Sequence, residues 1–337
     1  MRAAVLERVG PVENNPLVVK DVPIPSIGRR QVLLRVAACG VCRSNLHMIE
    51  GDWVQYGFPS KTPIIPGHEI VGTVAKIGED VTLLHEGDRV GIGPLWCSCG
   101  VCEFCLTARE YLCQSHVWIG QNVDGGYSEY TVANADYVTM VPDGLKASEA
   151  APLFCPGITA YGATKKAELS PGKRVAIFGI GGVGHMVIQF AKLYGTEIVA
   201  VSRSPLHQDL AKELGASTVV DTSAGDEAEW LRKIGNVDSS IVFAPSSAVT
   251  QLAVKATKRG GTIVLGVWAD LGVVPFHDEK KVVGTDVGSR QAMREVLKIA
   301  DSGRIKCICE EFKLEKANDA LKALKAGNVR ARATIVL

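Results

Sequence analysis

Along roughly the first 150 residues the apolar positions fall in short β-type runs at 31–38, 70–77, 88–92 and 127–132, broken by Gly, Pro and Asp. Pro16, Pro23, Pro25, Pro59, Pro63, Pro66 and Pro94 lie between or beside these runs. Short strands with irregular connections predict a barrel-like or sandwich β domain. Beyond residue 150 the pattern changes. Residues 173–178 read as a buried strand, 179–184 as a tight turn and 185–194 as an amphipathic helix stopped by Gly195. Strand-like runs at 198–201, 218–220, 240–243 and 262–267 then alternate with helical periodicity at 206–214, 226–234 and 248–257. Strict alternation with short connections predicts a doubly wound parallel sheet, an α/β architecture. Two further helices at 292–300 and 314–326 and a strand at 331–337 form a tail able to return to the first domain.

Length and charge narrow the function. A chain of 337 residues is about two domains long. Lys and Arg number 37 against 36 Asp and Glu, a net charge of +1. Such balance argues against nucleic acid or an anionic membrane surface as partner, since both demand an excess of basic groups. No apolar run approaches the roughly 18 residues of a membrane span, and Glu7 stands where a signal peptide needs an apolar core. The expectation is a cytoplasmic protein with reduced thiols, in which ten cysteines, four of them between 99 and 113, point to metal or catalysis before disulfides.

The turn at 179–184 reads Gly-Ile-Gly-Gly-Val-Gly, so Gly179, Gly181 and Gly184 fit G-x-G-x-x-G. Alone the motif is weak. Here it follows a strand and opens a helix, the context in which glycines let a pyrophosphate approach the backbone at a helix N-terminus. The next strand ends in Ser202-Arg203-Ser204, where an NAD-binding chain places an acidic residue for the ribose hydroxyls. A guanidinium between two hydroxyls suits a 2′-phosphate instead, and the expected cofactor is NADP(H), with NAD(H) as the other reading if Arg203 stacks on adenine and Ser202 holds the ribose.

Cys99, Cys102, Cys105 and Cys113 have the spacing C-x2-C-x2-C-x7-C. Four thiolates in one compact loop suit a tetrahedral zinc with no open position, a structural site; Cys97 lies outside the completed set. A second group is dispersed: Cys42, the pair His68-Glu69, and Cys155. Each taken singly is more simply a core residue. Together they make a mixed Cys/His set, which leaves one coordination position open, as a catalytic zinc requires.

With these motifs in this order, the sequence resembles the zinc-containing alcohol dehydrogenases of the medium-chain dehydrogenase/reductase superfamily, over essentially its whole length. The resemblance implies a GroES-like β-barrel catalytic domain of residues 1–152 and 288–337, a Rossmann domain of residues 153–287, and an active site in the cleft. It selects Cys42 over Cys39 as ligand, and implies that Cys42, His68 and Cys155 bind the catalytic zinc with Glu69 beside it. The zinc would act as a Lewis acid on an alcohol or carbonyl oxygen while hydride passes to or from the nicotinamide. Ser44 and His47 match the family's proton relay. Arg43, Gly179, Gly181, Gly182, Val183, Gly184, Ser202, Arg203, Val267 and Arg290 are the implied cofactor contacts. One departure is Asn45, which stands where the family has Asp and brings no charge to His68 or Arg290.

Among the aromatics, Trp53 is the best candidate for a substrate pocket; Tyr56 and Trp268 are further candidates, while Trp96 and Trp118 read as core. The expected substrate is a primary or secondary alcohol, or its aldehyde or ketone, and the expected assembly a homo-oligomer, dimer or tetramer. Two other readings remain: a medium-chain reductase acting on polyols or cinnamyl-type aldehydes with NAD(H), and a four-cysteine zinc module without enzymatic activity, which the charge and the cofactor loop oppose.

Overall fold

The computed structural model describes residues 1–337, which form two compact units, Met1–Cys155 with Gly288–Leu337, and Pro156–Val287. The first crossing thus falls after Cys155 rather than after residue 152. The short 3-10 turn Ala151–Phe154 is wholly buried among first-unit residues: Phe154 fills the space that a side chain at Gly91 would need.

In the first unit seven strands share one sheet. The long strand Gln31–Val41 is its centre, pairing antiparallel with Ile70–Ile77, Tyr130–Asn134 and the C-terminal strand Arg332–Val336. Arg89–Ile92 and Thr139–Met140 extend one edge, and Cys309–Lys313, parallel to Arg332–Val336, forms the other. The C-terminal tail therefore does return to the first domain. Leu34, Val36, Ile70, Val90, Ile92 and Ile335 close its core. The strand expected at 127–132 lies instead at Tyr130–Asn134. Residues ahead of it are taken by other partners: Tyr127 is fully buried, its N–H donating to the Pro66 carbonyl and its carbonyl accepting from Ala4.

In the second unit six parallel strands run in the spatial order Thr218–Asp221, Glu197–Ser202, Arg174–Phe178, Val237–Val242, Thr257–Leu265, Lys281–Gly284. Numbered along the chain this is 3-2-1-4-5-6, the Rossmann arrangement, whose ligand crevice lies beyond the carboxyl end of the first strand. The sixth strand was not expected, because its four residues, Lys-Val-Val-Gly, are too few and too exposed to announce a period. The glycine loop sits between Arg174–Phe178 and the helix Gly184–Leu193. A Cβ on Gly184 would lie 2.0 Å from the Gly179 carbonyl oxygen, whereas one on Gly181 would meet nothing within 4 Å. The third glycine of the motif is thus required for packing, and the second leaves backbone open to a ligand.

Candidate active site

Three chain segments of the first unit bring four donors to one point. Cys42 caps the helix Arg43–Glu50 directly after the central strand, so its sulfur lies at a helix N-terminus, which favours a thiolate. His68 and Glu69 immediately precede strand Ile70–Ile77, and Cys155 follows the turn Ala151–Phe154. One ligand atom from each of the four lies within 4.8 Å of every other. Glycine at position 40 makes this possible: a Cβ there would stand 1.9 Å from Glu69 Oε2.

The electrostatics of the cluster are those of a buried anion-rich site. The Cys42 and Cys155 sulfurs are 3.8 Å apart. Donation by the Cys155 thiol holds Cys42 well below the usual thiol pKa, and His68 adds to this against the cost of burial. The same contact, with burial, pushes Cys155 far up. Burial works against the charge of His68, but the Cys42 sulfur outweighs it and raises the imidazole. Burial also raises Glu69 to about 7, although Arg332 pulls the other way. The Arg332 guanidinium reaches Glu69 Oε1 from the C-terminal strand, and both side chains are almost wholly buried. Glu69 Oε2 has no hydrogen-bond partner.

The donor set fits a zinc ion. With zinc–sulfur bonds of about 2.3 Å, one edge of a tetrahedron is about 3.8 Å long, the separation found between Cys42 and Cys155. Two sulfurs, an imidazole nitrogen and a carboxylate oxygen suit the same metal.

The second cluster lies in a single loop. Cys99, Cys102, Cys105 and Cys113 also hold their sulfurs within 4.8 Å of one another, with separations of 3.9 Å for Cys99 to Cys105 and 3.6 Å for Cys102 to Cys105. The loop's base is closed by the strands Leu95–Cys97 and Val117–Trp118. Cys99 Sγ accepts from the Cys102 amide at 3.4 Å, and Cys113 Sγ from the Cys99 amide at 3.5 Å. Backbone N–H groups of Val101 and Cys102 lower the Cys99 thiol to about 6. Cys97 is outside the group.

Comparison with known proteins bears on both clusters. Residues 28–143 match the alcohol dehydrogenase GroES-like domain and residues 182–302 the zinc-binding dehydrogenase domain. An alcohol dehydrogenase of Geobacillus stearothermophilus is 42% identical over 341 residues, covering 99% of each chain. The chain belongs to the zinc-type medium-chain alcohol dehydrogenases. Among solved structures, the alcohol dehydrogenase of the archaeon Aeropyrum pernix superposes with a TM-score of 0.91 at 31% identity, over 100% of both chains. Acetophenone reductase from Geotrichum candidum, solved with NAD, gives 0.86 at 27% over 100% of this chain and 97% of that one. The chain is thus an oxidoreductase of a family that uses zinc and a nicotinamide cofactor, with a GroES-like and a Rossmann domain.

Around the donor cluster of this dehydrogenase, Ser44 Oγ is 3.5 Å from His68 Nε2, and the Asn45 amide is 3.3 Å from His68 Nδ1. His47, at the solvent end of the same helix with its side chain 35% exposed, bonds Asp52 Oδ2 through Nδ1 at 2.7 Å and stacks on Trp53. Arg43 donates to the Leu324 carbonyl. Arg290 is engaged within the first unit: its backbone and Nε donate to Glu110 Oε1, Nη1 donates to the Asp136 carbonyl, and the guanidinium lies over Tyr137. In the second unit Ser202 ends its strand with Oγ accepting from the Ser204 amide, and Arg203 is exposed. Gly182, Val183 and Val267 follow the carboxyl ends of the first and fifth strands of the sheet. Trp96 packs against the core and donates to the Val132 carbonyl, whereas Trp268 is exposed. Sequence reasoning missed Arg332, Asp52 and Asp221, the last of which pairs with Ser202 across the sheet. Only Asp52 carried a local signal, lying five residues beyond His47.

Proposed function

We propose that the chain is a zinc-dependent alcohol dehydrogenase that transfers hydride reversibly between a primary or secondary alcohol and NADP(H), holding two zinc ions. The observation that carries this reading is the convergence of Cys42, His68, Glu69 and Cys155 from three segments, with the two sulfurs at tetrahedral spacing. In it, Cys42, His68 and Cys155 are the ligands of the catalytic zinc, Glu69 stands beside them, and the four-cysteine lobe holds the structural zinc. A zinc ion there supplies Lewis acidity to an alcohol or carbonyl oxygen.

The chain's own residues then manage geometry and protons. Asn45 Oδ1 is buried without a partner while its Nδ2 faces His68 Nδ1. The amide's oxygen and nitrogen are interchangeable by a half-turn. Turned so, Oδ1 accepts from Nδ1–H and leaves the Nε2 lone pair for the metal, so a neutral amide serves where the family has a carboxylate. Ser44 relays the proton that an alcohol must lose, giving up its own hydroxyl proton as it accepts, and His47 ends the relay by passing a proton to water. Asp52 fixes His47 with Nδ1 protonated, which presents Nε2 as the acceptor. Trp53, stacked on His47, lines the pocket.

The glycines of the 179–184 loop, with Val183, receive the pyrophosphate, with Arg43 and Arg290 as further phosphate contacts; Val267 lies beside the cofactor. Ser202 and Arg203 receive the 2′-phosphate. Asp221, the neighbour of Ser202 across the sheet, stays an anion because its carboxylate accepts from the Ser223 amide, and Arg203 must offset it. The reading also assigns the enzyme to the reducing cytoplasm, as an oligomer. No helix is long and apolar enough to cross a membrane. The segment leading into the edge strand Lys281–Gly284 exposes Trp268, Val273 and Phe276 at 74, 85 and 93%, apolar surface that a second copy would cover.

The test is a panel of alcohols and carbonyl compounds assayed with both cofactors on protein whose zinc has been counted. Two zinc ions per chain and NADP-linked turnover are expected. Arg203→Ala should weaken NADPH by about 10–100-fold, the worth of a charge-assisted hydrogen bond, and NADH far less. Wild-type protein that prefers NAD removes the 2′-phosphate assignment.

A further inference from the structure

Six of the ten cysteines belong to the two donor clusters. Of the other four, Cys39 is buried and Cys97 lies beside the lobe. Cys307 and Cys309 touch each other. Cys309 opens the edge strand Cys309–Lys313, and Cys307 stands two residues earlier, a spacing that in extended backbone turns side chains to the same face. Their sulfurs are 3.5 Å apart, and Cys309 Sγ also approaches the Cys307 carbonyl at 3.7 Å. Cys307 is buried and Cys309 partly exposed. One cysteine is therefore partly reachable from solvent, with the sulfur of the buried one 3.5 Å from its own.

We propose that Cys307 and Cys309 form a thiol–disulfide exchange site that takes small disulfides of the glutathione type. The Cys309 thiolate attacks one sulfur of R–S–S–R, forming a Cys309–S–S–R bond and expelling RS⁻. Cys307, losing its proton, then attacks Cys309 Sγ and displaces the second RS⁻. The two protons released by the cysteines end on two RSH; the chain's thiols are oxidised by two electrons and the small disulfide is reduced by two.

The geometry also sets the character of the bond. Closure draws the sulfurs together by about 1.5 Å, to the usual 2.05 Å, between residues only two apart. Extended backbone separates such residues by about 6.6–7.2 Å, at the upper limit of what a disulfide spans. A strained bond of this kind is readily reduced, as exchange rather than permanent bracing requires. The residue between the cysteines is tied to the donor cluster: the Ile308 carbonyl accepts from the Arg332 amide at 3.1 Å.

The experiment exposes zinc-loaded enzyme to excess glutathione disulfide, blocks remaining thiols by alkylation, and locates modifications by peptide mass spectrometry. The wild-type peptide containing both residues should lose two hydrogen atoms and regain them with dithiothreitol. Cys307→Ser should instead accumulate glutathione on Cys309, and Cys309→Ser should remain unmodified at 307. A wild-type peptide that stays reduced, or that keeps glutathione on Cys309 without closing, overturns the proposal. So does a Cys307→Ser protein whose Cys309 never reacts.

Discussion

The two donor clusters use the same element of design, four side chains within 4.8 Å of one another, and reach it by opposite routes. The lobe draws four sulfurs from one loop, near solvent, and steadies them with its own backbone N–H groups. The active-site cluster collects donors from residues 42, 68, 69 and 155, and encloses with them the Arg332 guanidinium from near the C-terminus. Identical, locally closed ligands brace; mixed ligands assembled by the whole fold leave room for chemistry. The difference lies in what each cluster depends on. The lobe requires little beyond itself, while the other requires the sheet to be complete.

The most drastic way to separate them is to remove an active-site donor. Cys42→Ser, His68→Ala and Cys155→Ser should each cut turnover by more than the roughly 10–100-fold that follows loss of a residue merely supporting a ligand. Metal analysis should still find the lobe's zinc. Full activity in all three would end the assignment. Next in size is Arg332→Met, which strands the Glu69 carboxylate in the interior. Breaking a buried pair from one side costs about 3–5 kcal/mol, so the urea midpoint should fall sharply. A loss below about 1 kcal/mol, the scale of a surface pair, would show that the pair is not buried in solution.

Cys99→Ser or Cys102→Ser should do the reverse of the first set. The thermal midpoint should drop while surviving molecules retain much of their kcat; a selective loss of kcat at unchanged stability would erase the contrast. The smallest effect lies outside both clusters. Hydrogen bonding from Lys280 holds Asp278 below the usual carboxylate value, and Arg259 adds to this. A depressed folded pKa contributes stability above the unfolded value of about 3.9 and loses it as pH falls through the folded one. Asp278→Asn should therefore lower stability slightly at neutral pH and flatten its decline below about pH 4, with neither metal content nor turnover changed.

The four-cysteine lobe and the glycine loop were legible in the sequence because each rests on residue types at short spacing; the dispersed cluster was legible only through the family resemblance, and the alternation of the second unit foretold its parallel sheet. Arg332 was not legible. It meets Glu69 only because the strand Arg332–Val336 pairs with Gln31–Val41, which in turn pairs with Ile70–Ile77, a register no local pattern encodes. The edge strands Cys309–Lys313 and Lys281–Gly284 escaped notice for another reason. They are short and carry charges, as exposed edges do, and so lack a hydrophobic period. The partner of Arg290 was not legible either: within the first unit its guanidinium is held by Glu110, 180 residues away along the chain.

The antiparallel pairing of Leu95–Cys97 with Val117–Trp118 has a consequence for inheritance. The four cysteines lie together beyond that stem, so one in-frame excision could delete the whole brace, taking with it Glu110, the partner of Arg290. The other cluster has no such seam. A lineage could shed the first in a single event, but could lose the second only by separate changes in three segments between residues 42 and 155.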